Sequence, residues 1–341
     1  MNGAQMECPR VSVIIPTYNR LGFLREALDS VHAQTFQDYE VIVVDDGSTE
    51  DIAAGVADHP VRPRIVRQER SGPGAARNRG IEEAVAEKIA FLDSDDLWAP
   101  TKLARFIDML ESSPEVRIAY GPMLPIDAER HDVPGRTKRC HDGRITTQLF
   151  LSSFVHVPTV VSYKKTLVDI GGFDPGLPVC EDYDLWLRLS VFEPFALVEE
   201  PLAFRRLHGD RLSKSSMARN LSVKADVLRR FRESDEGRRL LPTDVADDRL
   251  ARVYFVAARE AMRAGRYDQA LRFCNESRRF GGSAIRTLPI KVGAGVMRTI
   301  RGAEALSETI SAPVSRLDQG SVSDNGAHRR ATATPGAHAN H

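Results

Sequence analysis

Phe91-Leu92-Asp93-Ser94-Asp95-Asp96 reads as an apolar strand end that runs straight into three carboxylates. Carboxylates one residue apart at a strand exit can hold a hard divalent cation that also carries a diphosphate. A surface turn favours the same residue types, so the segment takes its meaning from its company. Asp45-Asp46-Gly47-Ser48 is a second acidic exit. There a carboxylate can accept the imide N–H of a uracil or a ribose hydroxyl, and Gly47 allows close backbone approach; helix capping by Ser48 is the plainer alternative. Pro16-Thr17-Tyr18-Asn19-Arg20 closes a third run. Proline cannot donate within a central sheet, so the strand is expected to stop at Pro16 and open toward a ligand. Tyr18 can then stack on a base, or Asn19 can simply cap a helix.

Three further segments carry usable groups. Gly72-Pro73-Gly74-Ala75-Ala76-Arg77 sets small residues at a helix start, an anion-friendly terminus from which Arg77 can reach a phosphate or a base. No Gly-Lys-Ser/Thr follows, and the preceding strand ends too early for a dinucleotide fingerprint. In Glu181-Asp182-Tyr183-Asp184-Leu185-Trp186-Leu187-Arg188, Asp184 and Arg188 form an ordinary i, i+4 helix pair. Asp182, in the first turn, is free to face a cavity and act as a general base on a hydroxyl. His208 follows a predicted strand, and its imidazole suits manganese beside carboxylate oxygens, or is a plain surface group.

The elements that position these groups alternate. Strands are expected at 11–15, 41–44, 65–67, 89–92 and 116–120, with helices at 20–34, 72–86 and 99–112. This βαβα order implies an α/β fold with a mostly parallel sheet between helices. In such sheets the strands' C-terminal ends share one edge, so the 16–20, 45–49 and 93–96 loops should meet there. Residues 122–145 read as loop with short strands. Helices follow at 146–153, 164–170 (closed by Gly171-Gly172) and 181–192, then strands at 195–199 and 202–207. From about 220 the pattern is purely helical, and 245–264 with 267–279 resemble one tetratricopeptide-like hairpin. The expected organisation is a tail over 1–10, a main domain over 11–219 divided near 121, a helical extension over 220–317 and a disordered tail over 318–341.

Composition sets the outer bounds. Lys+Arg and Asp+Glu both total 47, so overall charge gives no argument for nucleic acid. The balance is uneven along the chain: 1–219 carry 26 basic and 33 acidic residues, 220–317 carry 19 and 12. Between Ser277 and Ala303 there are six basic residues and no acid, a stretch able to rest on anionic lipid or to face water. Cys8, Cys140, Cys180 and Cys274 have neither disulfide nor zinc spacing. The N-terminus lacks an apolar signal core and no run reaches membrane-span length, so a cytoplasmic location is the expectation.

Taken in order, 11–20, 41–49, 74–80, 91–96 and 181–188 resemble the family 2 glycosyltransferases over roughly 11–215. The resemblance implies a GT-A fold with a nucleotide-sugar half over 11–121 and an acceptor half over 122–219. It also implies an inverting, divalent-metal-dependent transfer, with manganese or magnesium, from a nucleotide-diphosphate sugar such as a UDP-sugar. The acceptor would be a glycan or lipid-linked hydroxyl, in cell-envelope polysaccharide synthesis. By that resemblance Pro16, Tyr18, Asp45, Asp46, Arg77 and Asp93 would bind the donor, Asp95 and His208 the metal, and Asp182 would be the base. Two other readings stay open: a non-catalytic nucleotide-sugar-binding or scaffold subunit, and a sugar nucleotidyltransferase. The second needs a Gly-rich basic loop after the first strand, which Pro16–Arg20 does not provide.

Overall fold

Near-continuous apolar runs such as Val11–Ile15 and Val41–Val44 have no polar face to give to water, so both sides of the sheet they form must be covered. The computed structural model, which describes residues 8–127, 131, 133, 138–207 and 217–310, has this arrangement. Its strands are β1 (Val11–Thr17), β2 (Tyr39–Asp45), β3 (Arg64–Arg67), β4 (Lys88–Phe91), β5 (Leu97–Trp98), β6 (Ile118–Tyr120), β7 (Met123–Ile126), β8 (Val161–Tyr163), β9 (Phe195–Leu197) and β10 (Ala203–Arg206). The helices are α1 (Leu21–His32), α2 (Ile52–Gly55), α3 (Pro73–Glu83), α4 (Lys102–Ser112), α5 (Thr146–Leu151), α6 (Lys164–Asp169) and α7 (Glu181–Phe192). They continue with α8 (Met217–Glu233), α9 (Asp235–Leu240), α10 (Thr243–Arg263), α11 (Tyr267–Arg279) and α12 (Ala284–Ile310).

Seven strands form one sheet in the order β3-β2-β1-β4-β8-β6-β9, and β5-β10-β7 form a second. β3, β2, β1 and β4 run parallel, while β8 lies antiparallel to both β4 and β6. Successive side chains alternate between two apolar layers: Ile14, Ile42, Val44 and Phe91 in one, Val13, Ile15, Val43 and Ala90 in the other. α1 and α4 cover the second layer through Leu24, Leu28, Leu103 and Phe106. The first layer is covered by α3, α5 and α7 and continues into Leu228 of α8, Tyr254 of α10 and Phe273 of α11. The α/β class with a mostly parallel sheet is therefore as the sequence implied.

α10 and α11 pack as an antiparallel pair joined by a short turn. Gly265 takes φ +67° at the turn, and Ala257, Ala261 and Ala270 are fully buried where the helices meet. The compact unit extends to Val296; beyond it the described residues, Met297–Ile310, are helical. No helix among the described residues is long and apolar enough to cross a membrane.

One expectation needs correcting. β1 does not end at Pro16 but runs on to Thr17, with Pro16 opposite Val44. The Leu92 N–H donates to the Ile14 carbonyl, so every second residue of β1, Pro16 included, turns its nitrogen toward β4. Pairing with β4 stops at Ile14, so the missing N–H breaks no ladder bond. β5 and β8 were not anticipated; two or three residues are too short to show a period. Lys102 is an oddity of the second layer: its buried amine lies 4.2 Å from the ring centroids of both Trp98 and Phe106, with no hydrogen-bond partner among the described residues.

Candidate functional site

Because β2, β1 and β4 are parallel neighbours, their C-terminal ends deliver the three acidic or aromatic loops to one edge. From β1 the chain winds to β2 on one side, and β4 pairs on the other, so the strand order reverses at β1. Crevices at such reversals are the usual ligand sites of open α/β sheets. Arg20 spans this one: its Nη1 donates to Asp95 Oδ2 at 2.7 Å.

The first two loops are laced together. Asn19 holds a left-handed φ of +49°, its N–H donates to Ser48 Oγ, and its Oδ1 accepts from the Thr49 N–H at 2.7 Å. Asn19 is thus a clamp between loops; Arg20 takes the helix-capping position of α1, and Asp51 that of α2. Asp45, 1% exposed, accepts from the Ser48 N–H and from Arg67 Nη1. Asp46 accepts at Oδ1 from the Ser71 N–H and Gln68 Nε2, and at Oδ2 from the Gly72 N–H. The anion expected at the start of α3 is therefore first of all the protein's own Asp46 carboxylate. Gly47 sits at φ +79° where a Cβ would come within 2.9 Å of the Arg70 nitrogen, so glycine is required there. Arg70 in turn lies 4.0 Å over the Tyr18 ring, which leaves one face of that ring for stacking.

The acidic loop meets the α7 start through Arg77. Its buried guanidinium donates Nη2 to Asp93 Oδ1 and Nη1 to Glu181 Oε1, each at 2.7 Å, while Nε has no partner among the described residues. Both terminal nitrogens are thus engaged, one with the acidic loop and one with the start of α7, a role the sequence did not suggest.

Asp182, half-buried, follows Glu181. Its Oδ1 accepts from the Tyr183 N–H at 2.7 Å, and its other oxygen has no hydrogen-bond partner among the described residues. Burial pushes its carboxyl up to about 7, helped by the Glu181 and Asp93 charges and opposed by Arg77. That Asp93 acts on Asp182 at all brings the acidic loop and the α7 start into one electrostatic site. The segment before α7 is held firmly. Asn78 exchanges two hydrogen bonds with the Phe173 backbone, and Arg188 donates to the carbonyls of Ile170 and Gly172 as well as to Asp184. Arg188 is therefore more than an ordinary helix pair. Cys180, at φ +63°, turns the chain into α7.

Of the residues singled out from sequence, Pro16 and Asp45 lie at the ends of β1 and β2, Tyr18, Asp46, Asp93 and Asp95 on the loops that follow the strands, Arg77 within α3 and Asp182 in the first turn of α7; His208 falls outside the described residues. Sequence reasoning missed Arg20 and the buried acid Glu181, and took Arg77 for a donor ligand without seeing that it bridges Asp93 and Glu181, although all three stood inside the quoted motifs. Among the described residues no three His, Cys, Asp or Glu side chains gather as a metal cage. Asp93 and Asp95 nonetheless offer hard oxygen donors, Asp93 with Oδ2 unbonded among the described residues. That set fits magnesium or manganese drawing its remaining ligands from a diphosphate and water.

Comparison with known proteins gives this geometry a context. The model of the family described as Glycosyl transferase family 2 matches residues 12–170. An uncharacterized glycosyltransferase of Rickettsia typhi is 33% identical over 218 residues, 61% of this chain and 67% of the relative. The succinoglycan biosynthesis protein ExoW of Rhizobium meliloti is 46% identical over 101 residues, 28% of this chain and 32% of that one. The chain spans only about a third of the length of the first curated relatives it matches. Among solved structures, S. aureus TarS 1-349 in complex with UDP-GlcNAc aligns with a TM-score of 0.59 at 18% identity, covering 86% of this chain and 92% of that one. The mannosyltransferase PcManGT from Pyrobaculum calidifontis, in complex with GDP-Man and Mn2+, aligns at 0.55 and 18%, covering 89% and 87%. The fold is that of the GT-A glycosyltransferases, and with the family match and the Rickettsia relative the chain belongs to glycosyltransferase family 2.

Proposed function

We propose that this protein is an inverting glycosyltransferase that moves a sugar from a nucleotide-diphosphate sugar, with UDP-sugars the first to test, to a hydroxyl of a glycan or lipid-linked acceptor in cell-envelope polysaccharide synthesis. One observation carries the reading: Arg77 joins Asp93 of the acidic loop to Glu181, so that Asp182 stands in the field of Asp93 with a raised pKa and an unbonded oxygen. The relation to ExoW supports the polysaccharide role.

In this scheme Tyr18 offers its open ring face to the base, while Asp45 and Asp46 shape the nucleoside pocket beside Pro16. Asp95 and Asp93, with His208, would hold a divalent cation, which when bound neutralises charge on the departing diphosphate. Asp182 takes the proton of the acceptor hydroxyl. The acceptor oxygen bonds to the anomeric carbon as that carbon's bond to the diphosphate breaks from the opposite face. The nucleoside diphosphate leaves with the electron pair, and the anomeric centre inverts. A panel of UDP-, GDP- and dTDP-sugars with manganese or magnesium should raise the melting temperature for one nucleotide class. The same class should be hydrolysed slowly to the nucleoside diphosphate, and chelation should stop it. A panel in which no nucleotide sugar shifts the melting point with either metal would sink the proposal.

We also propose peripheral contact with an anionic membrane through α12. Ile285, Leu288, Val292 and Val296 are all more than half exposed on one side of the helix, opposite buried Thr287 and Ala294. Arg286 and Lys291 flank that stripe, and no acid occurs from Ser277 to Ala303. Exposed apolar side chains bordered by cations match the interface of an anionic bilayer. Co-sedimentation with vesicles containing phosphatidylglycerol should be salt-sensitive and should fall several-fold in Leu288→Ser/Val292→Ser/Val296→Ser. Equal sedimentation with neutral vesicles, or of the triple variant, refutes the contact.

A further inference from the structure

Each carboxylate of the acidic loop meets a donor of the protein itself. Asp93 accepts from Arg77 Nη2, Asp95 Oδ2 from Arg20 Nη1 at 2.7 Å, and Asp96 Oδ1 from the Arg206 N–H at 3.2 Å. The two guanidinium groups differ in how firmly they are held. The Arg77 side chain is 6% exposed and ties Asp93 to Glu181, whereas the Arg20 side chain is 22% exposed and stands at the start of α1. That helix start does not depend on it: Arg20 makes no side-chain cap hydrogen bond, and the Leu21 N–H donates to Glu50 Oε2 instead. Arg20 thus reaches from the β1 exit, two residues past Tyr18, across the crevice to a carboxylate proposed as a metal ligand.

One carboxylate serves a guanidinium and a divalent cation poorly at the same time. With both on Asp95, two positive charges, one of them double, would stand close together in a partly buried site where salt screens little. Without metal, Arg20 neutralises Asp95 and the conflict does not arise. A diphosphate changes the balance, because its oxygens take a guanidinium in paired, charge-assisted hydrogen bonds. In the donor reading the diphosphate links a base on Tyr18 to a cation on Asp95, and that is the gap Arg20 spans. We infer that Arg20 is an exchangeable counter-cation: it holds Asp95 in the metal-free protein, yields that carboxylate to the divalent cation, and passes to the donor diphosphate. The inference rests on the reading of Asp95 as a metal ligand. Its consequence is coupling, since metal and diphosphate each ease the binding of the other through Arg20.

Manganese binding to the full chain is followed without nucleotide by the electron paramagnetic resonance of the free ion. UDP, GDP and dTDP are then titrated by calorimetry with manganese saturating. Arg20→Gln should bind manganese alone about fivefold more tightly than the wild type. It should bind the nucleotide that the wild type prefers about tenfold more weakly. A residue that only supports the fold would move both affinities in the same direction. Manganese alone should also raise the melting temperature of Arg20→Gln more than that of the wild type, because Asp95 there has lost its guanidinium. Arg20→Lys keeps the charge on a single nitrogen, so it should lie between the two in both titrations, and it carries the test if Arg20→Gln unfolds. Manganese bound by the variants no more tightly than by the wild type, or nucleotide bound equally well, overturns the exchange while the donor reading stands. A wild type that binds neither manganese nor any of the three nucleotides sinks the donor reading, and the exchange with it.

Discussion

Asp182→Asn is expected to bind nucleotide as the wild type does and to transfer sugar about 10²–10⁴-fold more slowly, the range a positioned general base contributes. The amide keeps the oxygen that accepts from the Tyr183 N–H, so the start of α7 stays in place, but it has no basic lone pair for the acceptor proton. In the wild type kcat/KM reports the free enzyme's base. Asp182 titrates near 7, so kcat/KM should rise tenfold per pH unit below that value, where the carboxyl is protonated and cannot accept, and level off above it. Stability should run the other way. The folded carboxyl holds a proton that the unfolded chain, with its ordinary value near 4, has already released. The group therefore penalises the fold increasingly as pH rises from about 4 to about 7, and fully above. The Asn variant lacks that penalty: it should melt higher than wild type at pH 8 and alike at pH 4. Unchanged transfer would remove Asp182 as base. Lost nucleotide binding would make it a donor ligand.

That trade, an acid kept dry for chemistry at the expense of folding, was only half legible in the sequence. The parallel frame was readable because Val11–Ile15, Val41–Val44 and Ile89–Leu92 are near-continuous apolar runs separated by helical periods, and their order forces the three loops to one edge. The resemblance picked Asp182 out of an acidic helix start. What escaped was which side chain holds which. Arg20 reaches Asp95 across 75 positions and Arg77 reaches Glu181 across 104, distances at which no local period speaks. Asp46 looked like a free ligand because its three partners, Gln68, Ser71 and Gly72, lie in a loop without pattern. Pro16 was misplaced for an instructive reason: the rule against proline in a central strand applies only where its nitrogen faces a paired neighbour, and β4 pairing ends two residues earlier.

Arg77→Met should have the second-largest effect, on folding and on the titration of the site together. The guanidinium is the cation that Asp93 and Glu181 share, and Glu181 is itself buried. Methionine fills similar volume and leaves both acids unpaired beside Asp182. Removing one partner from a buried ionic cluster costs about 3–5 kcal/mol, which urea denaturation would resolve. Arg77 is also the group that pulls the Asp182 carboxyl downward, against Glu181 and Asp93. Without it the midpoint of the kcat/KM profile should move above 7. Arg77→Lys keeps a charge but has one nitrogen where two are engaged, so it should recover part of the pH midpoint and little of the stability. Adding Glu181→Gln to Arg77→Met discharges one of the orphaned acids and should restore both readouts in part, a coupling that independent sites would not show. If Arg77→Met unfolds at the wild-type urea concentration and its pH midpoint stays near 7, the bridge between the acidic loop and the α7 start contributes neither to folding nor to the base, and the two halves of the site must be positioned by the Asn78 and Arg188 contacts alone.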